Sequence, residues 1–182
     1  GDNVLVWGAA GGLGVFAVQI CRMLGANPIA IVGGKDKIEL VKSLGANAWS
    51  DRSDYPDLMY KPPETPERGK ARMDATKKFG KKVREFTDGK DVDVVFEHPG
   101  QQTFPTSVFL AKRFGKIVIC GATTGFNLEF DVRHLWMRQK QILGSHFANA
   151  YQAERANQLV HEGKIRPVLD QVPYNLFNRW PE

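Results

Sequence analysis

The chain has 182 residues, with 25 Lys plus Arg against 20 Asp plus Glu and a formal net charge of +5. Hydrophobic residues make up 42% and charged residues 25%, which excludes collagen, a disulfide scaffold and a fully disordered chain. The length predicts one domain around one core, and no apolar run is long enough for a membrane helix.

Two cysteines, Cys21 and Cys120, make no disulfide framework, so a reduced, cytoplasmic chain is expected. The first strand falls at residues 4–7, immediately after the Gly1-Asp2-Asn3 turn. So abrupt an opening, with an equally unpunctuated end, reads as a fragment of a longer polypeptide. Residues 13–24 carry apolar side chains at helical spacing (Leu13, Phe16, Ile20, Leu24) and stop at Gly25, which predicts a helix. Residues 28–32 predict a second strand, 36–44 a second helix closed by Gly45, and 48–50 a short third strand.

The charge sits in one place. Residues 60–82 hold eight bases (Lys61, Arg68, Lys70, Arg72, Lys77, Lys78, Lys81, Lys82) and three acids (Glu64, Glu67, Asp74), and the rest of the chain is balanced at 17 of each sign. With Pro62, Pro63 and Pro66, the stretch reads as a basic insertion at about residues 55–80, irregular until a helix begins near Asp74. One local excursion does not make a nucleic-acid surface, so no nucleic acid and no membrane are expected as partners. Its plain reading is a solvated surface. Its sharper reading is a docking surface for a polyanionic ligand or for a neighbouring subunit.

Beyond it, residues 92–97 predict a strand, 103–111 a helix, 116–120 a strand, 134–138 a short helix, 141–145 a strand and 153–162 a helix. Strands alternating with helices imply a Rossmann-type doubly wound parallel sheet, a three-layer α/β/α arrangement. Residues 1–182 are expected to form one such domain.

The segment Gly8-Ala9-Ala10-Gly11-Gly12-Leu13-Gly14 joins the first strand to the first helix. Glycines there let backbone N–H groups and the positive end of the helix dipole approach a pyrophosphate. The strand before and the helix after are the context such a motif requires. A tight turn without a ligand is the alternative. The end of the second strand reads Gly33-Gly34-Lys35-Asp36-Lys37. An acid placed there would hold the ribose hydroxyls of NAD. Two glycines and two lysines favour the 2′-phosphate of NADP instead, and Arg52 can join them.

Two further strand ends, Phe96-Glu97-His98-Pro99-Gly100 and Cys120-Gly121-Ala122-Thr123-Thr124-Gly125, can pass backbone groups along the cofactor. His98 reads as a polar wall residue and Glu97 as a partner for a neighbouring turn. Cys120 and Cys21 read as inert thiols. Ser145-His146-Phe147-Ala148-Asn149 follows the last strand, and a His there suits either acid–base work or hydrogen bonding. No His, Cys, Asp or Glu spacing suggests a metal.

These residues resemble the cofactor domain of the medium-chain dehydrogenase/reductase superfamily. Within it, Phe79-Gly80-Lys81-Lys82, the run from Phe96-Glu97-His98-Pro99-Gly100 to Phe104, Leu135-Trp136-Met137 and Gly144-Ser145-His146-Phe147-Ala148-Asn149 resemble crotonyl-CoA carboxylase/reductase. The likeness covers the whole chain but less than half of a full-length member, with the substrate (GroES-like) domain absent. It implies NADPH-dependent reduction of an α,β-unsaturated acyl-CoA, with the resulting enolate trapped by carbon dioxide. His146 matches a histidine that helps hold carbon dioxide and is the expected catalytic residue. Gly8, Ala10, Gly11, Gly12, Leu13, Gly14, Gly33, Gly34, Lys35, Lys37, Arg52, His98, Cys120, Gly121, Ala122, Thr123 and Phe147 are the expected cofactor-side positions. The resemblance also implies a homo-oligomer, and it makes a coenzyme A phosphate tail the polyanion expected at the basic insertion if that surface docks a ligand. Two other readings stay open: an NADPH-dependent enoyl-CoA or quinone reductase without carboxylation, and a non-catalytic dinucleotide-binding module. The chain departs from the family pattern at Ala150-Tyr151-Gln152 and at Gly33-Gly34-Lys35.

Overall fold

A computed structural model describes residues 1–169. In chain order the elements are β1 (Asn3–Val6), α1 (Gly12–Met23), β2 (Asn27–Val32), α2 (Ile38–Ser43), β3 (Ala48–Asp51), α3 (Pro66–Glu85), β4 (Val92–Glu97), α4 (Phe104–Leu110), β5 (Ala111–Ile119), α5 (Arg133–Trp136), β6 (Gln141–Gly144) and α6 (Ala150–His161). Short 3-10 turns at Lys35–Lys37 and Arg52–Asp54 follow β2 and β3.

The strands form one sheet in the order β3-β2-β1-β4-β5-β6, and every pairing is parallel. The winding starts at β1, runs outward to β3, then crosses over to β4. Its direction therefore reverses between β1 and β4, where such sheets open a crevice at the carboxyl ends of their strands. Val6 pairs with Ala30 on one side and Phe96 on the other.

Side-chain alternation along each strand divides the core into two layers. Val4, Val6, Ala30 and Val32 face α1 and α2, packing with Val15, Val18, Val41 and Leu44. Leu5, Trp7, Ile29 and Ile31 face the other way, onto Phe79 and Val83 of α3 and Phe104 and Val108 of α4.

The basic stretch corrects one expectation. The helix expected from Asp74 begins eight residues earlier, at Pro66. Thr65 caps it through its side-chain oxygen, which accepts from Arg68 N–H. A proline in the first turn costs nothing, because its missing N–H would have had no helical partner. Thr76, Phe79, Gly80 and Val83 form the buried face of α3, so its lysines line the opposite, wet side.

Two smaller differences have local causes. β5 starts at Ala111 rather than Lys116, with a register irregularity opposite Val92/Val94. α6 starts three residues early, because Asn149 and Gln152 form a reciprocal capping box. No residue of α6 or β6 is buried. The segment after α6 returns to α1: Arg166 N–H donates to Gln19 Oε1 at 2.8 Å, and Gln19 Nε2 donates back to Arg166 O at 3.0 Å.

Candidate functional site

A cleft of about 320 Å³ opens over the carboxyl ends of β1, β2, β4 and β5, between Trp7, Gly8, Ala10 and Gly11 on one side and His98, Pro99, Gln102, Thr103, Thr123 and Thr124 on the other. Val32, Gly33, Lys37 and Arg52 close its far end.

Its floor is the glycine turn. Gly8 sits at φ +56°, a conformation that favours a residue without a β-carbon. Gly8 O accepts from Gly11 N–H at 2.8 Å, which folds the turn back beneath the start of α1. Gly11 caps α1 with no side-chain acceptor, and no acid lies in the first turn. The first N–H groups of α1 are therefore left free of side-chain partners, with the helix dipole behind them. Gly12, Leu13 and Gly14 do not line the cleft. Gly14 instead sets how closely the helix packs on the turn, since a β-carbon there would lie 2.2 Å from Gly8 O.

At the far end, the Arg52 guanidinium lies across Gly33, with Nε 2.9 Å from where a β-carbon would stand. Arg52 opens a 3-10 turn that Asp51 caps by accepting from Ser53 N–H at 2.9 Å. Of the two lysines after β2, Lys37 faces the cleft. Lys35 is turned outward, with Nζ 4.0 Å from Asp54 on an exposed surface. Gly34 does not line the cleft.

His98 forms part of the opposite wall. Its Nε2 lies 3.0 Å from Trp7 O. A carbonyl only accepts, so Nε2 carries the hydrogen and Nδ1 is left as an acceptor. Burial lowers the imidazole's pKa below its usual value, against the opposing pull of the Trp7 carbonyl. The ring is therefore neutral near pH 7. It also rests on Gly8, where a β-carbon would lie 2.7 Å from Nε2.

The turn after β5 is stitched to the turn after β4. Thr123 N–H donates to His98 O at 3.4 Å and Thr124 Oγ1 to Pro99 O at 2.7 Å, while Gln102 N–H donates to Thr124 Oγ1 at 3.1 Å. Thr123 lines the cleft; Cys120, Gly121 and Ala122 do not. Burial and the nearby Glu97 push the Cys120 thiol's pKa up, which keeps it protonated and unreactive.

His146 and Phe147 lie apart from the cleft, just past the carboxyl end of β6. Ser145 N–H donates to Ile119 O at 2.9 Å, so this turn shares the rim with the others. Both rings are exposed, with centroids 3.9 Å apart, and Phe147 takes a φ of +54°. Strand-end reasoning did not single out Trp7, Val32, Gln102 or Thr103 as wall residues, although Trp7 directly follows β1 and Val32 ends β2; Pro99 and Thr124 lie in the two turns that it had picked out.

Residues 12–162 match the family model described as "Zinc-binding dehydrogenase". The chain belongs to the zinc-binding dehydrogenase family. Among the described residues no three His, Cys, Asp or Glu side chains gather into a metal-holding group. The chain is 48% identical to a crotonyl-CoA reductase of Streptomyces avermitilis over 94% of its own length and 38% of the relative's. It is 45% identical to the crotonyl-CoA carboxylase/reductase of Cereibacter sphaeroides, over 94% of this chain and 40% of that one. A solved structure of the crotonyl-CoA carboxylase/reductase AntE in complex with NADP superposes with a TM-score of 0.85 at 41% identity, covering 93% of this chain and 42% of that one. The chain therefore spans about two fifths of the length of these family members.

Proposed function

We propose that this chain forms the NADPH-binding part of an enzyme that reduces an α,β-unsaturated acyl-CoA and carboxylates the product, as in crotonyl-CoA to ethylmalonyl-CoA. One observation carries the cofactor half. Lys37 and Arg52 share one end of a glycine-lined cleft whose wall contains no carboxylate. Two cations suit a 2′-phosphate, whereas an acid at this strand end would suit the free ribose hydroxyls of NAD. The uncapped N-terminus of α1 takes the diphosphate. The neutral His98 and the Thr123–Thr124 turn line the remainder. Once bound, NADPH supplies the hydride for the β-carbon of the thioester.

The carboxylating half rests on His146. An exposed imidazole at the rim can hold a water or carbon dioxide by hydrogen bonding beside the carbon that becomes nucleophilic. The likeness to a crotonyl-CoA reductase and a crotonyl-CoA carboxylase/reductase supports this substrate class. The acyl-CoA lies against both this chain and the rest of the full-length enzyme, which acts as a homo-oligomer.

Product analysis of the full-length protein with crotonyl-CoA, NADPH and bicarbonate tests the reading. Ethylmalonyl-CoA is expected. Butyryl-CoA alone leaves a simple reductase, and absence of NADPH oxidation leaves a binding module.

A further inference from the structure

Behind the cleft wall lies Glu97, the last residue of β4, which is fully buried. Its carboxylate is nonetheless well partnered. Oε1 accepts from Gly100 N–H at 3.0 Å and from Thr103 Oγ1 at 2.6 Å. Oε2 accepts from Ser107 Oγ at 2.5 Å. Ser107 Oγ in turn accepts from Trp7 Nε1 at 2.8 Å. The Trp7 carbonyl holds His98 Nε2, and His98 is the neighbour of Glu97 in the chain. The result is a closed ring of polar contacts through the ends of β1 and β4, the start of α4 and the turn between them. Burial pushes the carboxyl pKa up, and its three donors pull it back.

We propose that Glu97 is a positioning residue for the nicotinamide half of the cofactor. It acts through the His98–Gly100 turn and Thr103, which it holds at the depth that leaves the wall open. This inference rests on the dinucleotide reading above. A buried carboxylate is costly unless every lone pair is used. A purely apolar core could pack α4 on β4 without it. What the carboxylate adds is a fixed orientation for three groups that face or adjoin the cleft. The 2′-phosphate end, at Lys37 and Arg52, makes none of these contacts.

That separation provides the test. In the full-length protein, the dissociation constants of NADPH and of adenosine 2′,5′-bisphosphate are measured for wild type, Glu97→Ala and Glu97→Gln. The bisphosphate reports the Lys37/Arg52 end alone. Glu97→Ala is expected to weaken NADPH at least tenfold while leaving the bisphosphate within twofold. Glu97→Gln, which keeps an acceptor for Gly100 and Thr103, is expected to recover most of the loss. Unchanged NADPH binding in Glu97→Ala overturns the proposal. So does parallel weakening of both ligands, which marks a merely structural role. If Glu97→Ala does not fold, Ser107→Ala, which frees Oε2 and the Trp7 indole N–H and leaves Lys37 and Arg52 untouched, is read the same way. It is expected to weaken NADPH about threefold and the bisphosphate not at all, and equal effects overturn the proposal. Wild type that binds neither ligand defeats the dinucleotide reading itself, and wild type that binds both upholds it whatever the variants do.

Discussion

A β-carbon on Gly14 would stand 2.2 Å from the carbonyl oxygen of Gly8 and 2.6 Å from the α-carbon of Ala9. The first turn of α1 and the end of β1 are thus packed backbone to backbone, and the cofactor turn keeps its shape only while that contact is free of side chain. Neither neighbour is a flexible side chain that can swing away. Gly14→Ala is therefore expected to destabilise the protein by about 1–3 kcal/mol, the usual range for overpacking, and to weaken NADPH together with it. Thermal unfolding and a cofactor titration on the same preparation check both halves.

Lys37 and Arg52 are separated by the length of α2 and β3 yet line one end of the cleft. Reversing one of these charges should discriminate between the two nicotinamide cofactors. Lys37→Glu is expected to weaken NADPH by tenfold or more and NADH much less, measured as the ratio of their dissociation constants. Equal weakening of the two would remove the argument for a 2′-phosphate site. Lys35, paired outward with Asp54, is expected to matter less than Lys37 when each is replaced by Ala.

His146 is proposed to act on the carbon-dioxide side rather than on the cofactor. In the full-length enzyme, His146→Ala is expected to shift product from alkylmalonyl-CoA towards saturated acyl-CoA while NADPH binding stays close to wild type. Quantifying the two thioesters at fixed bicarbonate decides it, and an unchanged ratio counts against the role.

The wet face of α3 carries Lys77, Lys78, Lys81 and Lys82; Lys77 pairs with Asp74 and Lys82 with Glu85. If this face attracts coenzyme A phosphates, replacing all four by Gln raises KM for the acyl-CoA several-fold at low ionic strength. The effect shrinks at high salt, where exposed charges are screened. An unchanged KM at both salt concentrations leaves the face as solvated surface.

Lys140 is a cation whose burial works strongly against its charge. Its Nζ donates to Val108 O at 2.5 Å and Phe109 O at 3.3 Å, at the end of α4. Loss of water around it lowers its pKa from 10.5 to about 8. Between those two values the unfolded chain holds the proton and the folded one has released it, so stability from this group rises with pH across that window. Lys140→Met is expected to remove this rise. The difference in melting temperature between wild type and variant should therefore move in favour of wild type between pH 8 and pH 10, by about 2 °C or more. A constant difference would show that the carbonyls at the helix end hold the cation unshifted.

Much of the fold was legible because its determinants are local. β4 falls on the same residues, 92–97, in sequence and structure, since a run of apolar and β-branched residues ended by Pro99-Gly100 leaves little choice. The early start of α3 was also written locally, in Thr65-Pro66-Glu67. The weight of nearby prolines and lysines obscured it, although a proline at that position starts a helix as readily as it breaks one. Asn149 and Gln152 hid the start of α6 in the same way. The reciprocal cap is a four-residue pattern, and apolar periodicity alone does not register it.

The sequence by itself determined the alternation of strands and helices, the glycine turn between β1 and α1, and the cationic end of β2. Each of these follows from side-chain period, caps and turn chemistry within a few residues. Only the tertiary structure decided which strand-end residues share the cleft. Strand order brings His98 onto the carbonyl of Trp7 across 91 residues of chain and Ser107 onto the Trp7 indole across 100. It turns Lys37 inward and Lys35 outward, and it buries Glu97, which sequence had read as a partner for a neighbouring turn, beneath that turn with Ser107 as a further donor. Those outcomes depend on the winding of the sheet reversing between β1 and β4, and no local pattern in the chain encodes how far apart the ends of two strands will lie.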